Sequence, residues 1–186
     1  GMTIDTLFDQ LVTMRTSIHI PVVLMGYMNP ILQYGFEAFC ARAKEVGVDG
    51  LILPDLPLFE FENSYGKTIK DNGLDFIFLV TPETPEERLR KLDSLSSGFL
   101  YAVSSSATTG KDKDFSQVAL YLERLQQMNL KNPILVGFGI KDKQTFDAVN
   151  EFSNGAIIGS AYIKALAEGE EVGVITKQFL NSVLGN

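Results

Sequence analysis

The sequence is short of the residues that build metal sites and disulfides. Its 186 residues include one cysteine, Cys40, one histidine, His19, and no tryptophan. A single cysteine cannot close a disulfide within the chain. One cysteine and one histidine also cannot supply the three or four nitrogen and sulfur ligands that a zinc site usually needs. We therefore expect neither a metal centre nor a cysteine–histidine nucleophile pair.

Positive charge and long apolar runs are scarce as well. The 16 Lys+Arg residues are outnumbered by 23 Asp+Glu, which gives a net charge of −7 and disfavours nucleic-acid or membrane surfaces as partners. No apolar run approaches the roughly 18 to 20 residues of a membrane span, and no basic, then apolar targeting segment opens the chain. At 45% hydrophobic residues the chain can still bury a core. We expect a cytoplasmic protein.

The sequence does contain a regular alternation of helical and strand patterns. Behind Thr3, a plausible helix cap, apolar residues recur at helical spacing. The capping-box pattern of Thr84 and Glu87 predicts the start of another helix. Short apolar runs predict strands at 21–27, 50–54, 76–80, 99–103, 133–136 and 156–158, and helical stripes separate them. The alternation predicts one parallel α/β domain over residues 1–186, either an open sheet or a (β/α)8 barrel.

Two glycine-containing loops decide between these architectures. Val136-Gly137-Phe138-Gly139-Ile140 follows the fifth predicted strand, and Ile158-Gly159-Ser160-Ala161 follows the sixth. Glycines let backbone N–H groups approach an anion, although each glycine alone could serve only a tight turn. Barrels often bind phosphate with the loops after their last two strands, whereas a nucleotide-binding open sheet carries its glycines after the first strand. The two glycine-containing loops at the end of the series therefore favour a barrel with a phosphate site.

A long polar segment lies between the fourth predicted strand and the next helix. Residues 104–114 are small, polar or charged, and eleven residues exceed the usual two to six of such a loop. The segment is typical of a lid over a site, or of a solvated surface loop.

Five loop motifs in order resemble the tryptophan synthase alpha subunit family. They are Tyr27-Met28-Asn29-Pro30, Leu53-Pro54-Asp55-Leu56-Pro57, the 104–110 lid, Gly137-Phe138-Gly139-Ile140 and Ile158-Gly159-Ser160-Ala161. The resemblance implies a (β/α)8 TIM barrel of about 250 residues. It also implies retro-aldol cleavage of indole-3-glycerol phosphate to indole and glyceraldehyde 3-phosphate in tryptophan biosynthesis.

The resemblance implies roles for individual residues. Gly110, Gly139, Gly159 and Ser160 would bind the phosphate. Tyr101 and Thr109 would assist catalysis, and Asn29, Pro30 and Pro57 would contact a beta subunit in an alpha2beta2 enzyme. Pyridoxal phosphate would belong to that beta subunit, with no cofactor here. The remaining substrate contacts would be Met25, Ile52, Pro54 and Leu79 around the indole, Tyr27 beside the substrate, and Phe138 and Ile140 on either side of the phosphate site. The family most often has Ala where Pro54 stands.

The resemblance also implies that parts of the family pattern are missing. The family's catalytic Glu and Asp would precede residue 1, so no catalytic carboxylate is expected in this chain, which would be truncated and lack the first two βα units. Asp55, between two prolines, is predicted to form a turn rather than to act as an acid. About six of the eight strands would be present, strands 3 to 8, and their exposed sheet edges predict self-association.

Two other functions remain open from the sequence. The chain could belong to another phosphate-binding barrel enzyme, such as a sugar-phosphate epimerase, because the terminal phosphate loops occur in many barrels. It could also be a non-catalytic fragment that binds ligands and partners.

Overall fold

The computed structural model describes residues 1–103, 115–137, 139–169 and 171–185, and only the backbone of residues 115–117. The described residues separate into two compact units. The first is Gly1–Phe78 with Leu95–Gly98, and the second is Leu79–Ser94 with the described part of Phe99–Asn186. No helix among the described residues combines the length and the apolar character that a membrane crossing requires.

The first unit contains parallel strands covered by helices. Within its described residues the strand order is β1-β2-β3, with β1 Val23–Met25, β2 Gly50–Ile52 and β3 Asp75–Phe76. All three residues of β2 are buried, as its continuous apolar run requires in a parallel sheet. The helices are α1 Ile4–Leu11, α2 Met28–Tyr34, α3 Phe36–Glu45, α4 Leu58–Glu60 and α5 Gly66–Asp71, with a 3-10 turn at Met14–Thr16 and a π-turn at Phe61–Tyr65.

Local signals in the sequence set the ends of these helices. The Thr3 hydroxyl accepts a hydrogen bond from the Thr6 amide at 3.1 Å, which confirms Thr3 as the cap of α1. Gly47 follows α3 with a φ of +84°, a left-handed conformation that glycine adopts without a Cβ penalty. The aromatic ring of Phe8 in α1 packs against the rings of Tyr34 and Phe39, which also contact each other.

The second unit contains another parallel sheet. Its described strands lie in the order β4-β5-β6-β7, with β4 Leu79–Val80, β5 Leu100–Ala102, β6 Ile134–Val136 and β7 Gly155–Ala156. The associated helices are α6 Glu86–Leu95, whose last residue is counted with the first unit, α7 Phe115–Gln127, α8 Lys143–Asn150, α9 Ser160–Leu166 and α10 Val172–Leu184. Buried side chains from this sheet and its helices, including Leu89, Leu100, Leu122 and Val136, form the core.

A buried carboxylate fixes the entry to β6. Asp93 of α6 accepts hydrogen bonds from the backbone N–H groups of Lys131 at 2.7 Å and Asn132 at 2.9 Å. The Asn132 side chain returns a bond to the Asp93 carbonyl at 2.6 Å. Because Asp93 and Asn132 are buried, these bonds remove the cost of leaving their polar groups unbonded away from water.

Three local expectations differ from the structure. The run 76–80 forms two short strands, β3 and β4, that belong to different sheets. The helical stripe expected between the runs 50–54 and 76–80 is interrupted by the π-turn at Phe61–Tyr65. The Thr84 hydroxyl accepts from the Thr81 amide at 2.9 Å, a turn contact instead of the expected capping box. The expectation of a single domain stays a prediction.

Candidate functional site

The first group of predicted site residues lies at the carboxyl ends of β1 and β2. Met25 and Ile52 are register partners on these strands, and the Gly26 amide donates to the Ile52 carbonyl at 3.1 Å. Met25 is 59% exposed and Tyr27 is 67% exposed, whereas Ile52 is 6% exposed. Large apolar side chains at that exposure are available to a ligand or partner. Ile52 instead belongs to the core.

A cavity of about 260 Å³ adjoins β1. Met25 and Tyr27 line it together with Pro30, and Ile4 and Leu7 of α1 form another part of its wall. The structure therefore brings together two predicted substrate contacts and one predicted partner contact. Ile52 and Pro54 are not among its lining residues.

One carboxylate joins the loops that follow β1 and β2. Both carboxylate oxygens of Asp55 lie 3.0 Å from the Met28 amide, the first residue of α2. Tyr27, at the cap position of α2, makes no side-chain capping bond. Sequence reasoning predicted only a turn at Asp55 and missed this contact. The sequence did contain a signal for this contact. The two loops follow consecutive predicted strands, and parallel strands bring such loops to one edge of a sheet.

The predicted partner contacts lie on the same two loops. Asn29 and Pro30 are in the first turn of α2, and Pro57 precedes α4. All three are exposed. Residues 28–30, which the sequence placed in a loop motif, thus form the start of the helix α2.

In the second unit, Tyr101 occupies the centre of β5. Its register partners are Leu79 on β4 and Leu135 on β6. Its ring lies against the backbone of Gly137, where a Cβ atom would be 2.6 Å from the ring carbon Cζ. Burial raises the pKa of the Tyr101 phenol, so the hydroxyl remains protonated and can donate a hydrogen bond at neutral pH.

The predicted phosphate-binding glycines follow β6 and β7. These strands are neighbours, with Val136 paired to Ala156. Gly139 has a φ of +64°. At both Gly139 and Gly159, no described residue other than the chain neighbours has an atom within 4 Å of the position that a Cβ would take. Ser160, which begins α9, is exposed. The backbone at both loops is therefore open to a ligand. Ile140, in contrast, is buried at 6% exposure.

Three predicted site residues, Thr109, Gly110 and Phe138, lie outside the described part of the chain. The whole predicted lid at 104–114, which contains Thr109 and Gly110, also lies outside it.

Comparison with known proteins identifies the family. The family model for the tryptophan synthase alpha chain matches residues 1–183. The chain belongs to the tryptophan synthase alpha chain family. The tryptophan synthase alpha chain of Flavobacterium johnsoniae is 51% identical over 169 residues, which are 90% of this chain and 67% of that protein. The chain thus spans about two thirds of that relative's length.

Solved structures of the family show the fold. The tryptophan synthase A-subunit from Pyrococcus furiosus superposes on 100% of this chain and 75% of its own, with a TM-score of 0.88 and 32% identity. A tryptophan synthase complex from the same organism gives a TM-score of 0.86, also at 32% identity, 100% coverage of this chain and 75% of that chain. The chain therefore has the (β/α)8 barrel fold of this family, represented by about six of its eight strands. Its place in tryptophan biosynthesis follows from the same family match.

Proposed function

We propose that the chain is the substrate-binding and partner-binding part of an enzyme that cleaves indole-3-glycerol phosphate to indole and glyceraldehyde 3-phosphate. The family match over residues 1–183 carries this proposal. The same match disfavours the epimerase alternative that the sequence left open.

The phosphate group is proposed to bind at the ends of β6 and β7. Backbone N–H groups of Gly139, Gly159 and Ser160 would donate to its oxygens, with the Ser160 hydroxyl assisting and Gly110 contributing by resemblance. The open space above Gly139 and Gly159 supports this assignment. Backbone N–H groups suit a phosphate because they donate hydrogen bonds without adding side-chain bulk between the ligand and the protein.

Seven residues are proposed to contact the indole group and the rest of the substrate. Met25 and Tyr27 are exposed and line one cavity, which supports their assignment. Leu79 is half-buried beside Tyr101 on the neighbouring strand. Pro54 is exposed, whereas Ile52 and Ile140 would act from the core. Phe138 is assigned by resemblance alone.

The reaction needs two proton transfers. Protonation of indole C3 and removal of a proton from the adjacent chain hydroxyl break the bond between the ring and the glycerol group. Tyr101 and Thr109 would assist by positioning and by closing the site to water. By the resemblance, the two family carboxylates that would transfer protons and stabilise the ring N–H are not among the residues assigned here. General acid–base catalysis is worth about 10² to 10⁴ in rate, so we expect no measurable indole release from this chain by itself.

The proposed partner is a tryptophan synthase beta subunit, which would carry pyridoxal phosphate. The solved tryptophan synthase complex among the structural relatives supports such a partner in general. The exposed residues Asn29, Pro30 and Pro57 are proposed as contacts. A cytoplasmic location stays a prediction from the sequence.

Co-sedimentation with a tryptophan synthase beta subunit tests the partner proposal. We expect a complex with the chain, and at least a tenfold weaker one with Pro57→Glu, because a carboxylate would enter a desolvated contact. Leu120→Glu on α7 is the control, since Leu120 is 59% exposed and lies outside the proposed contact. Absence of a complex with the unaltered chain would overturn the proposal.

Self-association through the β1 edge is a separate proposal. Among the described strands β1 pairs only with β2, and Ile20, Met25 and Tyr27 near its free edge are 71%, 59% and 67% exposed. An unpaired strand edge with apolar flanks readily pairs with another chain. Light scattering should show dimers that Met25→Lys weakens. A monodisperse monomer at high concentration would contradict this.

A further inference from the structure

The strongest unassigned contact in the first unit is the bond between Asp55 and the Met28 amide. The first N–H groups of a helix have no acceptor within that helix. Tyr27 is extended, with φ −116° and ψ 151°, and supplies no side-chain cap to α2. Asp55 therefore provides the acceptor from a different loop, with each oxygen at 3.0 Å. A carboxylate is also favoured at this end of the helix by the helix dipole.

The two bonded residues stand between groups of different proposed roles. Met28 separates Tyr27, a proposed substrate contact, from Asn29, a proposed partner contact. On the loop after β2, Asp55 likewise lies between Pro54, a proposed substrate contact, and Pro57, a proposed partner contact. The bond thus lies where substrate-facing and partner-facing residues meet on both loops.

The loop that carries Asp55 has little freedom to absorb a movement. Prolines at 54 and 57 fix two of its φ angles. The Leu56 amide also closes a turn by donating to the Leu53 carbonyl at 3.1 Å, and the Leu53 and Leu56 side chains are buried. A displacement at Pro57 would therefore be passed through Asp55 to the start of α2 and to the neighbouring Tyr27.

We propose that Asp55 is a positioning residue that couples partner binding to ligand binding by holding Tyr27 and Met28 in place. The proposal rests on the proposed function and deepens it. Asp55 acts through Met28 and Tyr27 and has no contact with the reacting atoms.

Two substitutions separate the hydrogen bond from the rest of the side chain. Asp55→Asn keeps one oxygen that can accept from the Met28 amide, whereas Asp55→Ala keeps none. Asp71→Ala is the control. Asp71 is an exposed carboxylate at the end of α5 that pairs with Lys67, and exposed pairs of this kind contribute little to stability.

The test measures the dissociation constant of indole-3-glycerol phosphate for the chain, with and without a beta subunit. Coupling between two sites typically changes affinity by about 5- to 150-fold. We expect the ratio of the dissociation constants measured without and with the beta subunit to fall in this range for the unaltered chain and for Asp71→Ala. Asp55→Asn should keep most of it, and Asp55→Ala should bring the ratio close to one while the Met28 amide exchanges faster with solvent.

Each outcome decides a specific statement. An unchanged ratio in Asp55→Ala would overturn the role of Asp55 and leave the proposed function standing. Binding of both ligand and beta subunit with a ratio of one in the unaltered chain would overturn the coupling alone. Absence of binding of either would overturn the proposed function and this inference with it. Because Asp55→Asn retains the acceptor, loss of its ratio with an intact fold would also contradict the hydrogen-bond explanation.

Discussion

The ring of Tyr101 occupies the space in which any side chain at position 137 would begin. A Cβ at Gly137 would lie 2.6 Å from Tyr101 Cζ, far inside the contact distance of two carbon atoms. Both residues are tied to the sheet, since Tyr101 is paired within β5 and the Gly137 amide donates to the Ala102 carbonyl at 3.0 Å. Gly137 therefore sets the position of the Tyr101 phenol.

Replacement of Gly137 by alanine should push the Tyr101 ring out of place. Because the two backbones are fixed by the sheet, we expect Gly137→Ala to cost about 1–3 kcal/mol in the free energy of unfolding, as overpacking usually does. In the double variant with Tyr101→Ala, most of the additional cost of Gly137→Ala should disappear. Urea unfolding of the four proteins in this cycle measures the coupling.

Gly159→Ala is the matched control for that cycle, because no described residue beyond its chain neighbours comes within 4 Å of its Cβ position. It should leave the free energy of unfolding nearly unchanged. Additive costs for Gly137→Ala and Tyr101→Ala would show that the two residues do not compete for space.

Arg15 bonds several backbone carbonyls in the first unit. Its Nε donates to Gly47 O at 2.8 Å and its Nη1 to Ile20 O at 2.7 Å, and Nη2 also pairs with Asp49. A lysine at this position cannot donate to several carbonyls at once, so we expect Arg15→Lys to lower the free energy of unfolding by about 1–3 kcal/mol.

Asp49→Asn should cost less than Arg15→Lys. The substitution removes the charge, but the asparagine oxygen can still accept from the Val22 amide. In the unaltered chain that amide lies 2.7 Å from Asp49 Oδ2. The two side chains are 31% and 46% exposed, and such ion pairs contribute only about 0–1 kcal/mol. Thermal unfolding of both variants ranks the two effects. A larger loss in Asp49→Asn would mean that charge outweighs the carbonyl bonds.

Much of the fold could be predicted from the sequence because the signals are local. Thr3 begins the first helix where the sequence placed it, and the apolar runs located the strands. The split of 76–80 and the contact between Asp55 and Met28 depend on which strands become neighbours, which no local pattern records. Gly137 was assigned to a ligand loop, but its contact with Tyr101 requires the register of β5 and β6.

The Tyr121 hydroxyl on α7 is buried and has no hydrogen-bond partner among the described residues. Burial raises the pKa of this phenol. An unbonded buried hydroxyl costs about 1–3 kcal/mol, so Tyr121→Phe should raise the melting temperature. Tyr162→Phe is the control and should lower it, because the Tyr162 hydroxyl bonds to Thr176 Oγ1 at 2.8 Å. A destabilised Tyr121→Phe variant would show that the hydroxyl does have a partner.

Cys40 should make stability fall at alkaline pH. The residue is fully buried, and burial raises the pKa of its thiol from 9.0 to about 12. Above pH 9 the unfolded chain loses this proton while the folded chain keeps it, so the contribution present below pH 9 is lost progressively as the pH rises towards 12. Between pH 8 and pH 10 the loss should be about 1.4 kcal/mol.

Urea unfolding at both pH values, for the chain and for Cys40→Ala, isolates the thiol. The variant should be less stable at pH 8 because it leaves a cavity, but its stability should fall less between the two pH values. Equal falls in both proteins would assign the pH dependence to other groups.

The most direct test of the functional account is calorimetric titration of the chain with glycerol 3-phosphate, with glycerol as the uncharged control. The open backbone at Gly139 and Gly159 predicts saturable binding of one phosphate ester per chain and no heat from glycerol. Gly159→Val, which fills the open space, should weaken binding at least tenfold. Absence of binding by the unaltered chain, or equal binding by Gly159→Val, would contradict the account.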